Sequence, residues 1–208
     1  MGLGALTATV FPARCPGCGA RAEPLCPACA TGLRAPPRAL PPPGVDEWAA
    51  AFAYEGVARE IVARVKYRSE RAALPWLADA TAAAARAAGL PGDDAVVTWA
   101  PTTRARRRAR GFDHAALLAQ GVARRLDLPV RRLLARTEGH AQTGLAAAAR
   151  REGPRFVASA PPRHASGVLV VDDVATTGAT LAAAAHALRS GGFATVHALT
   201  AARTPPRV

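Results

Sequence analysis

From residue 49 onward, short and almost wholly apolar runs alternate with longer stretches in which apolar residues recur every three or four positions. The short runs read as strands buried on both faces, the longer ones as amphipathic helices. Strands are predicted over 49–54 (AAAFAY), 95–101 (AVVTWAP), 131–136 (RRLLAR), 167–173 (GVLVVDD) and 195–202 (TVHALTAA). Helices are predicted over 57–68, where Val57, Ile61, Val62 and Val65 share one side, and over 74–90, closed by Gly89. A third spans 113–128, with Asp113 as N-cap and Leu117, Leu118, Val122 and Leu126 as its apolar face. A fourth covers 181–190, with Gly191 at the C′ position. Such alternation predicts an α/β domain, a mainly parallel sheet flanked by helices.

The N-terminal part is different. Residues 1–34 hold all four cysteines, and the following stretch, 35–44 (APPRALPPPG), is too rich in proline for a helix or a central strand. A boundary is expected there: a small cysteine module at 1–34, a semi-rigid linker at 35–44, and the α/β domain at 45–208. No repeat of fixed period is present. Aromatic residues make up only 5% of the chain, so Ala, Val and Leu must build the core. No apolar run reaches the roughly 18 residues needed to cross a bilayer. The apolar start lacks a basic lead and runs straight into the cysteines, which reads as a helical or extended lead-in and not a signal peptide. A cytoplasmic protein is expected.

The net charge of +12 favours polyanionic partners, either nucleic acid or phosphorylated small molecules. Lys66 is the only lysine, so this charge is almost entirely arginine spread along the chain. Dispersed arginine is also what an ordinary solvated surface contains.

The sharpest chemical signal is GVLVVDDVATTGATL. A buried strand ends in two adjacent carboxylates, Asp172 and Asp173, and a turn of small residues leads into a helix. In open α/β sheets ligands bind beyond the carboxyl ends of the strands. The helix start offers unpaired N–H groups and partial positive charge, which suits a phosphate. The small residues Ala175, Thr176, Thr177, Gly178, Ala179 and Thr180 let the backbone close around it. Two acids at a buried strand end carry a desolvation cost that calls for a partner, such as vicinal hydroxyls. The plain alternative is a strand–turn–helix in which Asp caps and Thr fills a turn. The segment resembles the phosphoribosyl diphosphate-binding motif of type I phosphoribosyltransferases. That resemblance implies that Asp172 and Asp173 hold the ribose 2′- and 3′-hydroxyls and that residues 175–180 hold the 5′-phosphate.

Cys15-Pro16-Gly17-Cys18 and Cys26-Pro27-Ala28-Cys29 are two Cys-X-X-Cys knuckles. Four thiolates complete a closed tetrahedral site, so Cys15, Cys18, Cys26 and Cys29 are read as ligands of one structural Zn²⁺. Disulfides or a redox dithiol are the alternatives; a reducing compartment disfavours the first. The strand at 95–101 runs into a second cluster: Arg104, Arg106, Arg107, Arg108 and Arg110, followed by Gly111-Phe112. These arginines are suited to clamping a diphosphate, to tracking a nucleic-acid backbone, or to a solvated surface. Lys66-Tyr67-Arg68 is read as a surface pair with stems laid on the protein, with reach to a ligand phosphate as the alternative. The five histidines show no metal-ligand spacing.

The order of cysteine knuckles, YEGVAREIVARVKYR, Arg-Gly-Phe and Asp-Asp-Val-Ala-Thr-Thr-Gly-Ala-Thr is similar to that of the ComF (competence protein F-like) family, as is the stretch from Arg136 through Gln142 and Leu145 to Arg150. The family usually has Asn-Gln after Arg-Gly-Phe, where this chain has Asp113-His114, and often an Asn where this chain has Gly153. The resemblance implies a type I phosphoribosyltransferase fold with an N-terminal zinc module. It also implies phosphoribosyl diphosphate, or a related ribose phosphate, as ligand, with Mg²⁺ accompanying the diphosphate. Two functions follow: a phosphoribosyltransferase acting on an unknown acceptor, or a non-catalytic factor handling single-stranded DNA with DNA-uptake proteins. No catalytic residue is assigned.

Overall fold

The computed structural model describes residues 14–67, 73–92, 94–137 and 154–205. Arg68, His140, Gln142, Leu145, Arg150 and Gly153 lie outside them. The elements are α1 (Pro27–Thr31), β1 (Glu47–Ala53), α2 (Gly56–Tyr67), α3 (Ala73–Ala87), β2 (Ala95–Trp99), α4 (Arg104–Arg110), α5 (His114–Leu126), β3 (Leu134–Thr137), β4 (Arg155–Ala158), β5 (Gly167–Ala175), α6 (Ala179–Ser190) and β6 (Thr195–Arg203).

β1, β6, β5 and β2 lie side by side in that order, and every pairing is parallel. The two central strands come from the most apolar runs in the chain, as both faces of a parallel sheet are covered. One face carries Val97, Leu169, Val171 and Leu199 against Ile61 and Val62 of α2, Leu77 of α3, and Leu118 and Val122 of α5. The other carries Val96, Val168, Val170 and Val196 against Leu181 and Leu188 of α6. The result is a three-layer sandwich.

The predicted strands and helices recur within a few residues, with α1, α4 and β4 added and two further differences. The arginine cluster, to which the sequence assigns no element, is a helix, α4. The 131–136 strand starts later, at Leu134, and pairs antiparallel with β4 in a separate ribbon on the α6 face. Its forerunner, 129–131, bonds β2 through Val97 N–H to Pro129 O and Arg131 N–H to Val97 O. Gly191 ends α6 with a right-handed φ of −79°. The left-handed residue is Gly192, at φ 104°.

Residues 34–46 lie along the domain as a strap. Ala53 donates to Arg34 O, Arg203 to Pro37 O and Arg189 to Gly44 O. Pro42 is buried against the backbone of Gly178.

Candidate functional site

β5 delivers the two acids to the carboxyl edge of the sheet, but they part company there. Neighbouring strand residues point to opposite faces. Asp173 turns toward α2 and α5, where Lys66 Nζ sits 2.8 Å from its carboxylate and His114 Nε2 bonds its other oxygen. Only 7% of Asp173 is exposed. Burial alone would raise its pKa; His114 and Lys66 outweigh that and hold the carboxyl below its ordinary range. Asp172 remains on the turn side, with one oxygen accepting from the Asp173 N–H at 2.8 Å. Burial and the negative charge of Asp173 push its pKa up to about 8, against the pull of that N–H and of Lys66. The pair therefore divides its labour: Asp173 is the fixed anion, and Asp172 is a strained carboxyl that gains from new donors.

Beyond Asp172 the chain closes a concavity of about 40 Å³, lined by Val174 to Leu181 and by Asp172 itself. All of the predicted phosphate residues, Ala175, Thr176, Thr177, Gly178, Ala179 and Thr180, line it. Asp173 does not. Gly178 has φ 76°, and a Cβ there would meet Pro42 at 2.8 Å, so only glycine fits this corner. As N-cap of α6, Gly178 has no side chain to engage the first turn, so orphan N–H groups remain for an anion.

The arginine helix flanks a larger cleft of about 590 Å³ at the end of β2. Thr103 caps α4 by accepting from Arg106 N–H. Arg104, Arg107 and Arg108, at helical spacings of three and four, line the cleft together. Arg106 does not line it, and Arg110 lies against the His114 ring at 3.4 Å. Trp99 and Pro101 line it at the strand end, and Arg132 and Arg136 enter from the β3 side. Asp113 also lines it, while accepting from Ala116 N–H and Thr102 N–H. The end of β2 is tied to the end of β5 by Ala100 N–H to Val171 O, so the two hollows open at adjacent strand ends.

Sequence reasoning missed Lys66 and His114 as parts of this site. Lys66 is no surface pair: its side chain is 16% exposed and bound to Asp173. A signal was available, because Lys66 stands four residues after Val62 on the buried face of α2. His114 likewise stands four before Leu118 on the buried stripe of α5.

The four cysteines are free thiols whose Sγ atoms all lie within 4.8 Å of one another. Cys18 Sγ and Cys26 Sγ are 3.6 Å apart. A tetrahedron of Zn–S bonds of about 2.3 Å has edges of roughly 3.8 Å, so the donor set fits one such ion. Burial works against ionising Cys15, but N–H groups of Cys26, Cys18 and Gly17 bring its pKa down to about 6. Burial and the neighbouring sulfurs push Cys29 up to about 12. A Cβ on Gly17 would lie 2.7 Å from Cys29 Sγ and 3.0 Å from Val57, so the knuckle is packed against the start of α2.

Residues 113–207, from the cap of α5 to beyond β6, match the phosphoribosyl transferase domain family. A parallel sheet flanked by helices with this match defines the type I phosphoribosyltransferase fold. Among solved structures, the hypoxanthine phosphoribosyl transferase of Trypanosoma cruzi is 17% identical over 65% of this chain and 67% of its own, with a TM-score of 0.33. An HPRT carrying a glutamic acid mutation at an invariant aspartic acid is 17% identical over 65% of this chain and 70% of its own, with a TM-score of 0.31. No curated protein matches the chain in sequence. No helix among the described residues is long and apolar enough to cross a membrane.

Proposed function

We propose that the protein binds phosphoribosyl diphosphate and transfers its phosphoribosyl group to an acceptor. The observation that carries this reading is the adjacency of three complementary features. A phosphate-sized turn at a helix start, an acid with an unmet need for donors, and an arginine-lined cleft open side by side at one sheet edge. Residues 175–180 would take the 5′-phosphate through backbone N–H groups and Thr hydroxyls. Asp172 would accept from the ribose hydroxyls. Asp173, held by Lys66 and His114, fixes the strand end from which Asp172 projects. Arg104, Arg107 and Arg108 face the diphosphate, whose charge grows as it leaves C1, and stabilise that charge. Mg²⁺, when bound with the diphosphate, would supply further neutralisation, and Asp172 at the neighbouring strand end would be the carboxylate to hold it. Catalysis of this kind rests on positioning and charge rather than on a protein nucleophile.

Titration calorimetry with and without Mg²⁺ tests the reading. Phosphoribosyl diphosphate should bind in a Mg²⁺-dependent way. Replacing Arg104, Arg107 and Arg108 by Ala should weaken it at least tenfold while ribose 5-phosphate is retained. Loss of neither ligand would show α4 to be a solvated surface. The same arginines support a second reading, a ComF-like factor that handles single-stranded DNA in a reducing cytoplasm. That reading requires the triple variant to flatten the salt dependence of DNA binding by roughly 0.7 per lost phosphate contact while leaving phosphoribosyl diphosphate untouched.

The cysteine module completes the proposal: Cys15, Cys18, Cys26 and Cys29 would hold one structural Zn²⁺. Untagged protein should carry about one zinc per chain. Gly17→Ala should lose most of it, because the added methyl meets Cys29 Sγ. Metal-free protein in elemental analysis would refute the assignment.

A further inference from the structure

We propose that the acceptor is itself an anion, carrying a carboxylate or phosphate that Arg132 and Arg136 hold. The inference rests on the phosphoribosyl-transfer reading and concerns the wall of the large cleft opposite α4. A diphosphate ester carries roughly three negative charges at neutral pH, which the three cleft-facing guanidiniums of α4 already match. Arg132 and Arg136 come from a different element and line the opposite wall of the cleft.

These two arginines are placed, not merely present. The backbone on either side of Arg132 is fixed to β2: Arg131 N–H donates to Val97 O at 2.9 Å, and Leu133 N–H donates to the buried Thr98 hydroxyl at 3.2 Å. This sets Arg132 along the edge of β2, at the level of its carboxyl end. Arg136 projects from β3, with its guanidinium 5.8 Å from the centre of the Phe156 ring. Trp99 borders the same cleft and offers flat apolar surface. A volume of about 590 Å³ falls in the range of small-molecule sites and exceeds what a diphosphate fills. The complementary ligand is a compact, partly planar molecule with a negative group at one end and its nucleophile turned toward the ribose. In the transfer, the C1–O bond to the diphosphate breaks and its electron pair leaves with the diphosphate. The acceptor's nucleophilic nitrogen or oxygen bonds to C1 and releases its proton to solvent.

The test uses the full chain saturated with phosphoribosyl diphosphate and Mg²⁺, titrated with matched probes: benzoate against benzamide, and phenyl phosphate against phenol. At least one charged probe should bind at least tenfold more tightly than its neutral partner, and the pair that discriminates identifies carboxylate or phosphate as the recognised group. Arg132→Ala with Arg136→Ala should erase that preference and leave phosphoribosyl diphosphate affinity within about twofold. A wild-type protein that binds the diphosphate but prefers neither charged probe overturns the acceptor assignment alone. So does a double variant that loses phosphoribosyl diphosphate as severely as the α4 triple variant, since the diphosphate would then span both walls. Oligothymidylate bound more tightly than either probe, and lost in both variants, would replace the small acceptor with DNA. Failure of wild type to bind phosphoribosyl diphosphate at all would instead sink the transfer reading beneath it.

Discussion

Asp172→Asn is expected to weaken phosphoribosyl diphosphate binding about 100-fold while making the unliganded protein more stable. The binding loss, read near pH 9 where Asp172 is ionised, follows from two hydrogen bonds to a charged acceptor, each worth about 1.5 kcal/mol or more, with 1.4 kcal/mol per tenfold. The stability gain follows from the pKa of about 8. An unfolded Asp titrates near 4, so between about pH 4 and 8 the folded chain binds more protons and stability falls as pH rises. The penalty is absent below that window and complete above it. Melting curves of both proteins without Mg²⁺ should therefore coincide near pH 4 and diverge toward pH 9, with the Asn variant melting higher. A gap that does not change with pH would mean that Asp172 is solvated and ordinary. An active site that keeps a destabilising acid is a familiar compromise between stability and function.

Asp173 should behave in the opposite way. Asp173→Ala leaves the Lys66 ammonium buried without its anion, a loss of about 3–5 kcal/mol. Adding Lys66→Met should recover much of that, because the uncompensated charge goes too. A double-mutant cycle followed by urea unfolding reads the coupling between them. The contribution of Asp173 is present above pH 4 and fades as pH falls through its depressed pKa. If Asp173→Ala unfolds at the wild-type urea midpoint, the Lys66–Asp173 pair is not stabilising and the positioning role given to it fails.

The strand that carries the acids could be read from its sequence because Val168 to Val171 is continuous apolar chain, and the turn because small residues followed by a helix have few other uses. What the sequence reading treated as one unit, the Asp pair, was bound to split, since consecutive strand residues face opposite ways. Lys66 reads first as a surface pair and His114 only as a departure from the family's usual Gln, although both sit in register with buried stripes. From its sequence alone Arg104 to Arg110 is a basic cluster with no assigned element. Arg and Ala are nevertheless strong helix formers, and Thr103 stood ready as a cap. The pairing of β3 with β4 was not legible: a strand is expected over 131–136, but β4 is only four residues long and lies across a long stretch of sequence, which leaves no local period. Arg132 reaches the site through bonds of its neighbours to β2, which are also distant in sequence.

The strap over residues 34–46 has one more implication. It leaves the cysteine module, caps the buried Arg203 guanidinium stacked 4.3 Å over Trp48, and presses Pro42 onto Gly178. The turn proposed for the phosphate thus has its outer wall built by chain that comes before the domain. A fragment beginning at Val45 would retain every side chain assigned to the ligand and yet be an open mould, its corner at Gly178 unsupported and the Arg203 cation bared to water. The proline-rich segment is better regarded as the missing side of the vessel than as a tether to a separate bead.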